Sequence, residues 1–259
     1  MAKLKNYNVV LAHFVLFLTY LFVSACSSTN LSVTKIEGKL IPITNNTKEV
    51  SEITEFVQPY KDHIDKDLST VLAIAPETLD KNGEWQTPMG NLFSQVVFEK
   101  GNPVFKMREN KSIDLVLLNH GGIRSIIPKG NVTARTAYEI MPFENSLVVI
   151  ALKGEQIEEL VQYFIAEKKP HPLYGMTFTI GKDNVAKDIV IQGKPFDRNT
   201  TYYVGTNDYL SNGGDNMVFF KKGIAKYDLD YKLRNILIDY FTEVETVPLL
   251  SDLRISVEK

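Results

Sequence analysis

Residues 113–124 have the sequence Ile-Asp-Leu-Val-Leu-Leu-Asn-His-Gly-Gly-Ile-Arg, in which a nearly continuous apolar run precedes a polar, glycine-containing segment. The run has the length of a short strand, and such a continuous apolar run is typical of a strand that lies inside a sheet. Two adjacent glycines after a strand let the main chain approach a ligand closely. The stretch therefore predicts a buried strand that ends at a binding loop.

Patterns on both sides of this stretch predict the remaining elements. Apolar residues at three- and four-residue steps predict helices over about 50–64, 90–99 and 155–167, and a last helix carrying Leu229 to Phe241. Pro59 is expected to bend or split the first of them. Short apolar runs predict strands at 71–75, 146–152, 176–180, 185–191 and 201–206, and an edge strand over 32–43. Because helices and strands do not strictly alternate, we expect an α+β fold rather than a doubly wound parallel one.

The composition excludes several classes of protein. The chain has 259 residues, of which 44% are hydrophobic and 23% charged, so it can bury a core and is not a disordered chain. Its 29 basic and 31 acidic side chains leave no broad basic surface for a nucleic acid polymer. A single cysteine excludes a disulfide scaffold.

The amino terminus has the pattern of a bacterial lipoprotein signal peptide. Two lysines precede an apolar run from Val9 to Val23, which is short for a membrane span. The next residues complete Val-Ser-Ala-Cys, which resembles a lipobox whose cysteine, here Cys26, becomes the lipidated first residue. An ordinary secretory signal with an incidental cysteine is the alternative.

This pattern predicts three segments: a signal peptide at 1–25, a lipidated tether and edge segment at 26–48, and one domain at 49–259. The expected location is the bacterial cell envelope, with a lipid anchor in the outer membrane and the domain facing the periplasm.

Catalytic motifs are missing from the sequence. The predicted mature part keeps only three histidines, His63, His120 and His171, which is too few for a two-metal phosphatase. The Asn-His pair at 119–120 is similar to that of calcineurin-like phosphoesterases but has no acidic residue after it. No nucleophile elbow, phosphate-binding loop or dinucleotide fingerprint is present, so we expect no metal site and no catalytic residue in this chain.

A second polar loop, residues 207–215, reads Asn-Asp-Tyr-Leu-Ser-Asn-Gly-Gly-Asp and follows the strand predicted at 201–206 in the same way. Between the two loops, Phe143 stands in the turn-like segment Met-Pro-Phe-Glu-Asn at 141–145. A single Gly-Gly pair is more simply a tight turn with a surface arginine, and Phe143 alone could be a core residue. Two such loops at strand ends in one chain favour a ligand site.

These three segments together resemble the C-terminal domain of the 5'-nucleotidase family, of the bacterial UDP-sugar hydrolase and ecto-5'-nucleotidase type. The family's Asn-x-Gly-Gly-Ile-Arg, Pro-Phe and closing Gly-Gly-Asp motifs occur here in order, and Met-Gly-Asn-Leu at 89–92 is similar to its Gly-Asn helix start. The resemblance covers about residues 65–245 and implies the α+β fold of that domain, with mixed sheets flanked by helices in layers.

The resemblance also implies a role for each matching residue in holding a nucleoside 5'-phosphate or a nucleotide sugar. Two aromatic rings would stack on the base, a carboxylate would bind the ribose hydroxyls, and an amide, an arginine and two glycines would meet the base and phosphate side. In that order these residues are Phe143 and Tyr209, then Asp215, then Asn119, Arg124, Gly121 and Gly122.

The sequence departs from the family in two places. Residues 84–88 read Glu-Trp-Gln-Thr-Pro where the family has a further arginine, so phosphate contact is weaker or Trp85 extends the stacking wall. The family's metal-bearing domain is not found, so we expect no cofactor in this chain and a separate metallophosphatase chain that holds the divalent metals. The alternatives are a non-enzymatic nucleoside- or nucleotide-binding envelope lipoprotein, and a structural relic whose site has drifted.

Overall fold

The structure is a computed structural model that describes residues 2–24, 33, 35–44 and 47–258. It divides into two units, residues 1–51 and 52–259. The first unit contains helix α1 (Ala2–Ser24). Cys26, the predicted lipidation site, lies outside the described residues. In the described ranges, no helix has the length and apolar character needed to cross a membrane.

The predicted edge strand over 32–43 is wrong. Residue 33 and residues 35–43 form neither helix nor strand. Their apolar side chains, such as Leu40 and Ile43, are almost fully exposed. A sequence with some strand character forms no strand unless a neighbouring strand pairs with it, and none does so within the described part of the chain.

The other elements follow in chain order. They are α2 (Ser51–Leu68), β1 (Val71–Ala75), α3 (Pro88–Glu109), β2 (Leu115–Leu117), β3 (Gly130–Thr133), α4 (Ala134–Ile140), β4 (Ser146–Lys153), α5 (Gly154–Glu167), β5 (Leu173–Tyr174), β6 (Met176–Ile180), β7 (Ala186–Ile191), β8 (Lys194–Pro195), β9 (Thr201–Asn207), α6 (Asp208–Ser211), β10 (Ala225–Lys232), α7 (Leu233–Glu243) and β11 (Ile255–Val257). Single 3-10 turns lie at His120–Gly122, Gly214–Asn216 and Val218–Lys222.

The predicted α+β architecture is confirmed, with local differences. Pro59 does not split α2. This helix has no buried residue, so water can reach the carbonyl that proline leaves without a donor. Leu229, which the helical spacing assigned to the last helix, lies in β10, and α7 begins at Leu233. In β10, Leu229 is buried between exposed neighbours, which is the alternation of a strand.

A five-stranded sheet with the strand order β10-β4-β9-β2-β5 forms the centre of the second unit. Both faces of the sheet are covered. Val116 and Leu147 point into one apolar core, which includes residues of α3, α4 and α7, and Leu115 and Val148 point into another, which includes residues of α5 and β6. Since successive side chains of a strand face opposite sides, burial of both faces requires the continuous apolar runs found in β2 and β4.

Strand directions bring three loops to one edge of this sheet. β9 runs parallel to β2, so both strands end at the same edge. β4 runs antiparallel to β9, with Leu147 opposite Asn207, so the loop that precedes β4 lies at that edge too. β10 pairs antiparallel with β4, and its last residue, Lys232, lies opposite Ser146. The loop after β2, the loop before β4 and the loop after β9 therefore meet.

Gly154, the first residue of α5, packs closely against the main chain of Arg198, and this contact can be tested by substitution. A Cβ at this position would lie 2.3–2.6 Å from main-chain atoms of Arg198, which cannot move aside as a side-chain tip could. We expect Gly154→Ala to lower the free energy of unfolding by roughly 1–3 kcal/mol, as overpacked sites do. Urea denaturation measures this change.

The control is Glu155→Ala, an exposed position one residue further along α5, where a change of less than about 0.5 kcal/mol is expected. Equal stability of the two variants would contradict the close contact.

Candidate functional site

A cavity of about 590 Å³ lies at the sheet edge where the three loops meet. All seven residues that the sequence singled out for ligand binding line it, together with Glu144 and Asn145. The seven are Asn119, Gly121, Gly122, Arg124, Phe143, Tyr209 and Asp215. The structure thus brings the seven together, while the role of each stays a prediction.

Asp215 is at the centre of a hydrogen-bond network in this cavity. Asn119 Nδ2 donates to Asp215 Oδ2 at 2.7 Å, and Tyr209 Oη donates to Oδ1 at 2.9 Å. The main-chain N–H of Asp215 in turn donates to Tyr209 Oη at 3.2 Å. Each carboxylate oxygen has a second acceptor site, so Asp215 can still accept hydrogen bonds from a ligand.

Gly122 and Gly214 make room for two of these side chains. A Cβ on Gly122 would lie 2.8 Å from Asn119 Oδ1, and a Cβ on Gly214 would lie 2.4 Å from the Tyr209 ring. Asn119 is itself buried at the end of β2 and accepts a long bond of 3.5 Å from Asn207 Nδ2. A side chain at either glycine would therefore displace the amide or the ring from its observed position.

The two aromatic rings of the cavity are open to solvent. Phe143 is 43% exposed and Tyr209 is 46% exposed, although rings of this size usually pack inside a protein. The guanidinium carbon of Arg124 lies 6.0 Å from the Phe143 ring centroid, and Arg124 Nη1 donates to the Gly121 carbonyl at 3.1 Å. The Arg124 guanidinium and the half-exposed rings of Phe143 and Tyr209 therefore line the same cavity.

The loop that carries Phe143 is held by residues that sequence reasoning missed. Arg234, which is buried in the first turn of α7, pairs with Glu144, and this contact holds the pKa of the Glu144 carboxyl below its usual range. Lys232 Nζ donates to the main-chain oxygen of Glu144 at 2.8 Å, and Asn145 Nδ2 donates to Asp208 Oδ1 at 2.7 Å. Glu144 and Asn145 adjoin Phe143 in sequence, but no sequence pattern identifies Arg234.

Trp85 does not extend the aromatic wall. It is partly buried against the core that contains α5 and β6 and is not among the residues that line the cavity. The nearby Gly-Asn segment acts in helix capping, since Thr87 Oγ1 accepts from the Gly90 N–H at the start of α3.

A second cavity of about 430 Å³ shares Gly121 and Asp215 with the first and is also lined by His120, Tyr163 and His171. The His120 N–H donates to His171 Nδ1 at 3.2 Å. Burial lowers the pKa of His171 to about 4, with the charge of Lys169 adding to the effect, so His171 is neutral at pH 7. Because its Nδ1 accepts the His120 N–H, the imidazole proton is assigned to Nε2. Burial likewise lowers the pKa of His120.

The residues of these cavities do not fit a metal centre. A two-metal site needs several His, Asp or Glu ligands converging on the ions. Within the described residues, no three such side chains are grouped so that they could hold a metal ion. Glu144, which also lines the first cavity, is paired with Arg234.

Comparison with known proteins agrees with the resemblance in sequence. The family model described as 5'-nucleotidase, C-terminal domain, matches residues 68–222. The trifunctional nucleotide phosphoesterase YfkN of Bacillus subtilis is 26% identical over 83% of this chain, and the protein UshA of Yersinia enterocolitica is 26% identical over 70% of it. The chain spans 15% and 36% of the lengths of these two relatives.

A solved structure has the same fold. The 5'-nucleotidase precursor from Thermus thermophilus superimposes with a TM-score of 0.67 at 24% identity, over 80% of this chain and 43% of that protein.

The buried histidine His171 makes stability depend on pH. The pKa of His171 is about 4 in the folded protein and about 6.5 in an unfolded chain, so the unfolded state binds the extra proton between these values. The contribution of His171 to the free energy of unfolding is therefore fully present above pH 6.5 and is lost as the pH is lowered toward 4. We expect His171→Gln to reduce this slope, as measured by urea denaturation at several pH values.

His63→Gln, which changes an exposed histidine of α2, is the matched control and is expected to keep the wild-type slope. A wild-type slope in His171→Gln would show that His171 does not cause the dependence.

Proposed function

The chain belongs to the 5'-nucleotidase C-terminal domain family, and on that premise we propose that it binds a nucleoside 5'-phosphate or a nucleotide sugar. The observation that carries the proposal is the meeting of Phe143, Tyr209 and Asp215 in one cavity. A nucleotide ligand agrees with the relative YfkN, which is a nucleotide phosphoesterase by name.

In this proposal the base stacks on Phe143 and Tyr209. Their exposed rings can each give a face to a planar base, and such stacking contributes about 1–3 kcal/mol per base with little preference among bases. The volume of about 590 Å³ lies within the range of small-molecule sites. Tyrosine in place of the family's phenylalanine keeps the stacking face.

Polar groups would orient the sugar and the phosphate. Asp215 would accept hydrogen bonds from the ribose hydroxyls, and Asn119, already joined to that carboxylate, would contact the base. Arg124 would face the phosphate side, because its guanidinium lies beside Phe143 and carries several donors suited to phosphate oxygens. Gly121 and Gly122 would let the main chain approach the ligand.

We further propose that the phosphate chemistry needs a separate metallophosphatase chain that supplies divalent metals. This assignment is supported by the side chains of the described residues, of which no three His, Cys, Asp or Glu are grouped so that they could hold a metal ion. Holding the base would position the phosphate for attack by the partner's activated water, so binding energy remote from the reaction would help the rate. The proposed location is the bacterial cell envelope, with the chain anchored to the outer membrane through a lipid on Cys26.

Calorimetric titration with AMP tests the ligand. We expect Phe143→Ala to weaken binding by about 1–3 kcal/mol through lost stacking, and Asp215→Ala to weaken it by about 1.5–3 kcal/mol through lost hydrogen bonds to a charged group. The matched controls are Phe56→Ala, an exposed phenylalanine of α2, and Asp188→Ala, an exposed aspartate that also has a positive φ of 50°. Both controls should bind as the wild type does.

The contrary outcome is that the wild type gives no heat of binding at millimolar AMP and Asp215→Ala behaves identically. Only the structural relic whose site has drifted would then remain among the alternatives.

Co-purification from envelope extracts tests the partner. We expect the captured chain to bring with it a metal-dependent phosphatase that hydrolyses AMP. Repeated recovery of the chain alone would favour the nucleotide-binding lipoprotein without an enzymatic partner. Hydrolysis of AMP by the isolated chain with Mn²⁺, at roughly 1–10³ per second, would contradict the proposal that the chain is inert by itself.

A further inference from the structure

Asp215 holds a main-chain conformation that residues with a side chain rarely adopt. Its φ and ψ are 50° and 30°, and the next residue, Asn216, has a φ of 60°. Aspartate and asparagine tolerate this left-handed region better than most residues, but two in succession still require outside support. The direction of the Asp215 carboxylate depends on this conformation, because the carboxylate is attached to the same Cα.

The hydroxyl of Tyr163 on α5 supports the main chain of Asp215 from outside the loop. Tyr163 Oη donates to the main-chain oxygen of Asp215 at 2.7 Å. The Tyr163 ring is itself fixed, since its centroid lies 5.7 Å from the ring centroids of His171 and Phe219. Tyr163 lines the second cavity and is not among the residues that line the first, so it can be changed without removing a ligand contact.

The other bonds to Asp215 differ from this one in a way that matters for binding. Tyr209 and Asn119 donate to the same carboxylate oxygens that a sugar diol would use, so a bound diol shares those oxygens with them. Tyr163 bonds to the main-chain oxygen, which a diol on the carboxylate leaves untouched. Its hydrogen bond therefore persists in both the free and the occupied site.

We infer that Tyr163 is a positioning residue that keeps Asp215 in its left-handed conformation and so sets the preference of the site for sugars with two neighbouring hydroxyls. The inference rests on the proposed function, because it assigns the diol of the nucleotide to Asp215. Without the Tyr163 hydroxyl, Asp215 gains other conformations, and the carboxylate is aimed at the diol for a smaller part of the time.

The test compares two ligands in Tyr163→Phe, a change that removes one oxygen atom. Calorimetry gives the dissociation constants of AMP and of its 2',3'-dideoxy analogue, which has the same base and phosphate and no diol. We expect AMP to bind about two- to tenfold more weakly than to the wild type, the range of one lost hydrogen bond, and the analogue to bind equally well. The preference for AMP shrinks accordingly.

Tyr202→Phe is the matched control. Tyr202 Oη also donates to a main-chain oxygen, that of Asp197 at 3.1 Å, and Tyr202 does not line the cavity. We expect this variant to keep the wild-type preference. Equal weakening of both ligands in Tyr163→Phe, or unchanged affinity for AMP, would overturn the inference.

Amide hydrogen exchange tests the restraint without a ligand. The reporter amides are those of Asp215, which donates to Tyr209 Oη, and Met217, which donates to the Gly214 carbonyl at 3.0 Å. We expect faster exchange at both in Tyr163→Phe and no change in Tyr202→Phe. Unchanged exchange in Tyr163→Phe overturns the inference whatever the titrations give. A wild-type protein that binds neither nucleotide overturns the proposed function and the selectivity, while faster exchange would still support the restraint.

Discussion

The site depends on the parallel pairing of β2 with β9 in a sheet whose next strand, β4, runs the other way. Parallel strands end at the same edge, and the antiparallel neighbour begins there, so three loops distant in sequence meet at one place. No loop needs to be long or independently stable for this to happen. The loops inherit their positions from strands that are buried on both faces and therefore held firmly.

Within the loops, hydrogen bonds hold in place side chains that the strands alone would leave free. Asn119 and Tyr209 both donate to the Asp215 carboxylate. Arg234 and Lys232 hold the turn around Phe143 from a different part of the chain. The site is thus ordered before a ligand arrives. Preorganisation of this kind lowers the entropy that binding must offset.

The sequence predicted those features that have a local signal. Continuous apolar runs predicted β2 and β4. A strand that is buried on both faces has apolar side chains at nearly every position, and such a run is easily distinguished from a polar loop. The glycine loops identified the residues of the cavity, because their spacing repeats that of a known family. The edge strand over 32–43 was wrong, since strand character says nothing about whether a partner strand exists. Tyr163 and Arg234 were not found, because each acts through one contact with a residue far away in sequence.

Because both faces of β2 and β4 are buried, different evolutionary constraints act on the core side chains of these strands and on the side chains that line the cavity. Core positions on these strands are constrained by volume and polarity, whereas the cavity-lining side chains of Arg124, Phe143 and Tyr209 belong to neither core. Substitutions can therefore accumulate at the rim while the scaffold stays intact, and descendants of one ancestral gene can come to recognise different compounds without passing through a misfolded stage.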